Sequence, residues 1–368
     1  MTEVNKRNTK VENYLEVLYE KANNDNYEID ESNYMGLLDT LFTTTTWGYR
    51  EILLVVIVGI HLNDKYEAST DFYECSPRAI FEGPIKKFLI SKGIPHRKSG
   101  PLNIAKATQA LDSNWASRRG ESDIANNVVK LVQYLEKDDN DITEKSSKIG
   151  VSLIRRLLNE KEEINKLSVN ISPSEDPVLL YNFCYELITK SPDEGNTPQK
   201  IAFFLLESFH KSLDSGIKVT GGEDRASVTS TTSKKPGDVN EEFENGNIYK
   251  VYEITVKPFD LPRIIDSYDT IRLYNENNSQ HIHEIIVICR EEDSVDDLNK
   301  SDLKGYMGSY EHNDLIYYYW NIWEWIANLL QRMDSGGRMN FYSSLNDYIN
   351  DFNTSASVKL LWKELHTH

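Results

Sequence analysis

The chain has 368 residues, which is too long for one small domain and favours two or three packed units. Apolar residues make up 39% and charged residues 27% of it, a composition that excludes wholesale disorder. The 58 acidic residues outnumber the 41 basic residues and give a formal charge of −17. Any contact with nucleic acid must therefore come from a local basic surface on an acidic protein.

The composition also bears on the compartment. Three cysteines are too few for a disulfide framework, so we expect a reducing, cytoplasmic environment. The N-terminal segment lacks the apolar stretch of a secretory signal. The longest apolar run, residues 52–60, is nine residues long where a membrane span needs about 20, so we expect a buried helix or strand and no membrane contact. No glycine-rich nucleotide motif occurs, so no nucleotide cofactor is expected.

The first half of the chain has a mainly helical pattern. Apolar residues in 10–60, and again in 151–158, recur at the spacing of one helix face. Gly and Pro interrupt this pattern near 93–95 and 100–101. We predict a mostly helical N-terminal region over residues 1–195.

The pattern changes after a polar linker. Pro198 in a first turn predicts a helix to about Leu213. Two alternating segments rich in Val, Thr and Tyr follow within 217–257, and Asn245-Gly246 between them indicates a β-hairpin. The polar stretch 223–235 predicts a mobile loop.

The C-terminal third of the chain completes the predicted order of helix, strand, hairpin strand, helix and strand. This third of the chain contributes a helix over about 261–274 and a buried strand at 284–289. An aromatic-rich helical tail is predicted over 301–368, packing on the core or forming a dimer contact. The fold class predicted is α+β.

Charged residues on the predicted hairpin indicate chemistry. Asp238 begins one strand, and alternation places Glu253, Thr255 and Lys257 on one face of the other. Such a charged row is costly to bury unless it faces a cleft, a metal or a charged ligand. Two carboxylates from paired strands can bind a hard cation such as Mg²⁺, which favours metal-assisted phosphodiester cleavage.

Pro236-Gly237-Asp238, followed by Glu253 on the next strand within this order of elements, resembles the PD-(D/E)xK nuclease superfamily and its restriction endonucleases over about residues 197–290. The resemblance implies a core at 196–300 with a central mixed sheet flanked by helices. It implies that Asp238 and Glu253 bind Mg²⁺, for which Mn²⁺ can substitute, and that Glu207 adds a third ligand. It also implies a site-specific type II endonuclease of double-stranded DNA, commonly a homodimer.

One position departs from the family pattern. The family lysine follows the glutamate by two residues, where this chain has Thr255. Lys257 lies roughly 13 Å from Glu253 along an extended strand, and we expect it to assist the attacking water. The alternative lysines are Lys234, Lys235 and Lys250.

Three other interpretations remain open at this stage. Glu207 also fits a solvated helix stripe. A catalytically silent DNA-binding or scaffold subunit of a restriction or defence system is the second hypothesis for the chain, favoured by Thr255. A nuclease without a fixed recognition sequence is the third.

A basic segment in the first half suggests where DNA binds. No Asp or Glu occurs between Lys86 and Lys106, and the middle of this segment is a Gly- and Pro-rich loop that can follow a phosphate backbone. The alternative is a solvated positive face. We predict that the N-terminal region recognises or clamps DNA. The predicted DNA-binding residues are Lys86, Lys87, Lys92, Arg97, Lys98, Lys106, Arg118, Arg119, Lys234 and Lys235.

Overall fold

A computed structural model describes residues 3–44, 46–97, 100–106, 108–137, 141–169, 172–222 and 235–367. The chain divides into two compact units, Met1–Lys166 and Leu167–His368. Helix and a mixed sheet both occur, which confirms the predicted mixture of the two. None of the helices in these ranges has both the length and the apolar character that crossing a bilayer requires.

The first unit is built from helices in its described residues. The apolar run 52–60 lies in α3, whose side chains from Gly48 to Ile60 are all buried, as predicted for this run. A π-helical turn, Phe81–Ile85, separates α4 from α5. The helices are α1 (Glu3–Ala22), α2 (Met35–Thr40), α3 (Gly48–Leu62), α4 (Pro77–Ile80), α5 (Lys86–Ser91), α6 (Gly100–Ala105), α7 (Ser113–Ser117), α8 (Ser122–Glu136) and α9 (Ile142–Asn165).

The second unit contains the sheet and the helices that cover it. The helices are α10 (Pro177–Lys190), α11 (Asn196–Leu213), α12 (Leu261–Asn278), α13 (Ile322–Arg332), α14 (Ser335–Asn350) and α15 (Ala356–Leu365). The strands are β1 (Lys218–Thr220), β2 (Val239–Glu242), β3 (Ile248–Ile254), β4 (Glu284–Cys289), β5 (Asn299–Lys300), β6 (Tyr306–His312) and β7 (Leu315–Asn321).

The described strands form one sheet in the order β1-β2-β3-β4-β7-β6-β5. The pairs β3–β4 and β4–β7 are parallel, and the other neighbours are antiparallel. Apolar residues of α12 pack on one face against Val251 and Val287. Residues of α11 and α13 pack on the other face, in a cluster with Tyr252 and Ile254. Both faces of the central strands are therefore covered, as their apolar sequences require.

Several predicted elements are confirmed. The helix from Pro198 is α11, the helix near 261–274 is α12, and the strand at 284–289 is β4. The hairpin turn joins β2 to β3, and Gly246 there has φ +82°, a conformation that glycine adopts without a steric cost. The predicted loop 223–235 lies outside the described residues except for its last residue.

The predicted helical tail is wrong over its first part, because Tyr306–His312 and Leu315–Asn321 are strands. Their side chains alternate between the two faces of the sheet: Tyr317 and Tyr319 are fully buried, whereas Trp320 is 37% exposed. Apolar residues on both faces of a strand resemble a helical pattern in sequence, and the pairing with β4 decides between the two.

The division of the chain also differs from the predicted boundary at residue 195. Apolar residues of α10, among them Phe183 and Leu187, belong to the core of the second unit. Helix α10 contacts α11, α13 and α15 there. Burial of its apolar face, rather than the polar linker at 191–197, decides where α10 belongs.

Candidate active site

The hairpin brings the two predicted metal ligands together. Val239 pairs with Tyr252 in the antiparallel ladder, so the next position on each strand places Asp238 opposite Glu253. Directly opposite side chains lie about 4.5–5.5 Å apart at Cβ. Asp238 Oδ2 also accepts a hydrogen bond of 2.9 Å from the Ile254 N–H, which fixes its carboxylate beside β3.

Gly237 permits this approach. A Cβ atom at Gly237 would lie 2.5 Å from Val251 Cγ1 and 2.9 Å from the Tyr252 carbonyl oxygen. These separations are shorter than van der Waals contact, so a side chain at this position would push the start of β2 away from β3. The Gly-Asp pair in the sequence is therefore a geometric requirement for placing Asp238.

The two carboxyl groups occupy an unfavourable electrostatic environment. Burial raises the pKa of Asp238, although the Ile254 N–H and the charge of Arg263 act in the opposite direction. Burial raises the pKa of Glu253 too, and the negative charge of Asp238 raises it further. Neither acid forms an ion pair with a cation in the described part of the chain. Like charges held close without a direct ion pair to a cation are typical of a site that binds a cation.

Helix α12 supplies two neighbours of this pair. The Ser267 hydroxyl donates to Glu253 Oε1 over 3.3 Å. Arg263, in the first turn of α12, donates from Nη1 to Thr255 Oγ1 over 2.7 Å. The guanidinium carbon of Arg263 also lies 4.8 Å from the centre of the Phe259 ring. A cation is thus hydrogen-bonded to the residue at the position where the nuclease superfamily that the sequence resembles has a lysine.

Helix α11 adds an amide oxygen. Gln199 is 3% exposed, and its Nε2 donates over 3.1 Å to the carbonyl oxygen of Asp238. Its Oε1 is buried and has no hydrogen-bond partner. An unsatisfied buried acceptor costs about 1–3 kcal/mol, so this oxygen can accept a hydrogen bond or bind a cation.

The residues present fit a magnesium ion in their chemistry. Mg²⁺ prefers oxygen ligands, and protein sites typically provide one or two carboxylates and leave other positions to water. Asp238 and Glu253 provide two such carboxylates. No three His, Cys, Asp or Glu side chains come together as a metal cluster in the described residues, so Glu207 does not join the two acids.

Two of the predicted site residues have other contacts. Glu207 pairs with Lys211 at 3.3 Å on the outer side of α11, which is the solvated stripe that the sequence also allowed. Strand β3 ends at Ile254, so strand alternation no longer determines where Lys257 points. Thr255 Oγ1 accepts from the Lys257 N–H and donates to its carbonyl oxygen, which closes a turn, and Lys257 is exposed.

The predicted DNA-binding residues have mixed surroundings. Lys87 pairs with Glu12 at 2.9 Å and Lys92 with Glu16 at 2.8 Å, so acids of α1 neutralise part of the basic segment. The Arg119 Nη1 donates to the Ile104 carbonyl oxygen inside the same unit. Exposed members are Lys106 and Arg118, and partly buried members are Lys86, Arg97 and Lys235. Lys98 and Lys234 lie outside the described residues.

Arg263 and Gln199 are the site residues that sequence reasoning missed. A signal for Arg263 existed, because Asp260 and Pro262 mark a helix start just after β3, and the Asp260 side chain does cap α12. First-turn residues of such a helix lie near the end of the preceding strand. No comparable signal marks Gln199.

Comparison with known proteins adds no family to this description. No protein-family model matches the chain, and no curated protein is significantly similar to it in sequence.

Proposed function

We propose that the protein is a Mg²⁺-dependent endonuclease of double-stranded DNA, similar to type II restriction enzymes. The observation that carries the proposal is the Asp238–Glu253 pair, two carboxyl groups facing each other across paired strands without a neutralising ion pair among the described residues. Such a pair costs stability, and a bound divalent cation would offset that cost.

The surroundings of the pair support phosphodiester chemistry in particular. Around Asp238 and Glu253 the elements run helix, three strands, helix and strand (α11, β1, β2, β3, α12 and β4), an order that contains the helix, strand, hairpin strand, helix and strand of the nuclease superfamily that the sequence resembles. A bound Mg²⁺ would polarise the phosphate and lower the pKa of a bound water. Asp238 and Glu253 would hold the cation, and the oxygen of Gln199 would complete the protein's share of the ligands.

Recognition of DNA is proposed to come from the first unit. Lys106 and Arg118 are exposed cations that can contact phosphates, whereas Lys87 and Lys92 would first have to leave Glu12 and Glu16. A homodimer is proposed because a two-fold symmetric enzyme matches a palindromic duplex site.

A catalytically silent DNA-binding subunit is the second candidate. It is favoured by Thr255, which replaces the family lysine and is held in hydrogen bonds with its neighbours. A silent subunit would keep the carboxylate pair and the DNA contacts without cutting. The two candidates therefore differ in turnover and not in binding.

Incubation of supercoiled plasmids with the full chain tests the proposal. We expect Mg²⁺-dependent linear products that disappear with EDTA and in Asp238→Asn. Glu207→Gln is the matched control, since it also removes one acid but lies in an exposed ion pair, and it should cut like the wild type. DNA binding without nicking, on several DNAs and at several Mg²⁺ or Mn²⁺ concentrations, would favour the silent subunit. Smears instead of discrete bands would indicate a nuclease without a fixed site.

A further inference from the structure

We propose that Arg263 binds the scissile phosphate and takes the place of the lysine that the strand lacks. This inference rests on the proposed nuclease function. The observation behind it is the hydrogen bond of 2.7 Å from Arg263 Nη1 to Thr255 Oγ1, the side chain at the family's lysine position. Arg263 comes from the first turn of α12, so the cation reaches the site from the following helix instead of from β3.

The contacts of Arg263 hold its side chain and leave donors for a ligand. The Phe259 ring lies beside the guanidinium, and Thr255 anchors one of its N–H groups. A guanidinium has five N–H donors, and the described residues engage one of them in a side-chain hydrogen bond. Ser267, one turn further along α12, donates to Glu253 Oε1 over 3.3 Å, so this side of the helix lies beside the carboxylate pair.

The chemistry of arginine defines what it can do here. A guanidinium stays protonated at any ordinary pH, so Arg263 cannot take a proton from water as a lysine can. It can donate two parallel hydrogen bonds to phosphate oxygens and stabilise the negative charge that grows on them. Hydrolysis forms a bond from the water oxygen to phosphorus and breaks one P–O ester bond. One water proton goes to the leaving oxygen and the other to solvent.

Two of the lysines that the sequence suggested, Lys257 and Lys250, fit this role less well. Lys257 is exposed and follows the turn that Thr255 closes. Lys250 is exposed on β3 and lies over the Tyr249 ring, three positions before Glu253. Arg263 is the one of these three cations with a side-chain hydrogen bond to Thr255.

Four variants of the full chain test the inference with Mg²⁺ and a cleavable plasmid. Arg263→Ala should lower kcat about a hundredfold, the scale for losing one transition-state donor, with KM nearly unchanged. Arg263→Lys should retain part of the activity. Thr255→Lys added to Arg263→Ala should recover about tenfold, because it restores the family's pattern. Arg272→Ala is the matched control, since Arg272 pairs with Glu276 on the exposed side of the same helix.

Calorimetric measurement of Mg²⁺ binding distinguishes phosphate binding by Arg263 from a purely structural role of this residue. Arg263→Ala should bind Mg²⁺ at least as tightly as the wild type, because a neighbouring positive charge is removed, whereas Asp238→Asn should lose binding. A loss of both melting temperature and Mg²⁺ affinity in Arg263→Ala would instead show that Arg263 only supports the fold.

The outcomes also separate the inference from the proposed function. If Arg263→Ala cuts within about threefold of the wild type while Asp238→Asn is inactive, the inference fails and the nuclease function stands. If the wild type cuts no DNA, the proposed function fails and this inference fails with it.

Discussion

The basic segment of the first unit and the carboxylate pair of the second unit differ in how their charges are balanced. In the first unit, Lys87 and Lys92 pair with acids of α1 at the surface. In the second unit, Asp238 and Glu253 face each other, and burial and mutual repulsion raise the pKa of Glu253. Exposed pairs of opposite sign contribute about 0–1 kcal/mol and serve solubility. A like-charged pair without a direct ion pair to a cation costs stability, and such pairs are typical of functional sites.

This contrast changes the interpretation of the charge on the basic segment and on the acidic pair. The absence of acids within 86–106 suggested an unbalanced positive surface, yet Glu12 and Glu16 come from a distant part of the chain to balance it. The approach of Asp238 to Glu253, by contrast, was expected from the predicted hairpin, and the pairing of Val239 with Tyr252 places the two acids opposite each other. Charge along the sequence therefore identified the acidic pair correctly but did not reveal the acids that balance the basic segment.

The largest expected effect is on catalysis. Glu253→Gln removes one charge of the pair and should lower plasmid cleavage by about 10²–10³-fold, the range for one electrostatic group of an active site. Its melting temperature without metal should be equal to or higher than that of the wild type, since the repulsion with Asp238 is gone. A variant that still cuts would remove the contrast between the two units.

Substitution of Gly237 should have the next largest effect. The Cβ atom of Gly237→Ala would meet Val251 Cγ1 at 2.5 Å, so we expect overpacking to cost about 1–3 kcal/mol. Thermal or urea unfolding measures this loss. Gly246→Ala is a useful comparison, because nothing lies within 4 Å of its Cβ and only its φ of +82° opposes the change. Equal stability of Gly237→Ala and the wild type would contradict the tight approach of β2 to β3.

The pH dependence of stability gives a smaller effect with a defined sign. Because the pKa of both Asp238 and Glu253 is raised, the folded chain keeps protons that the unfolded chain has already lost. The contribution of this pair to stability should therefore fall as pH rises from about 5 to about 8 in metal-free protein. Melting temperatures with EDTA and with Mg²⁺ measure it. The slope should shrink in Asp238→Asn, and an unchanged slope would show that these groups are not coupled.

The smallest effect is expected in the first unit. Glu12→Gln breaks the exposed pair with Lys87 and should change the free energy of unfolding by less than about 1 kcal/mol, with a still smaller change in high salt. The same variant frees Lys87, so DNA affinity at low salt should rise or stay equal. A loss of several kcal/mol would show that this pair is a stabilising element comparable to a buried one.

Much of the core around the site followed from local signals. Asn245-Gly246 selects a tight turn, Pro198 and Pro262 mark helix starts, and 284–289 is apolar throughout, so the elements carrying Asp238 and Glu253 were predictable. The exact pairing of the two acids was not predictable in this way, because an irregularity between Glu241 and Glu242 shifts the register of β2 against β3 by one residue. The departure at position 255, which is Thr where the resembled nucleases have a lysine, was also visible in the sequence.

Other features of the fold and the site depend on contacts between segments that are far apart in the sequence. The strands β6 and β7 depend on pairing with β4, and α10 belongs to the second unit because its apolar face packs there. The approach of Arg263 to Thr255 and of Gln199 to Asp238 depends on how α12 and α11 lie against the sheet. Turns and caps depend on a few neighbouring residues, so the sequence alone predicts them. The partners of a charged or amide side chain depend on packing between elements far apart in the sequence, which only the tertiary structure determines.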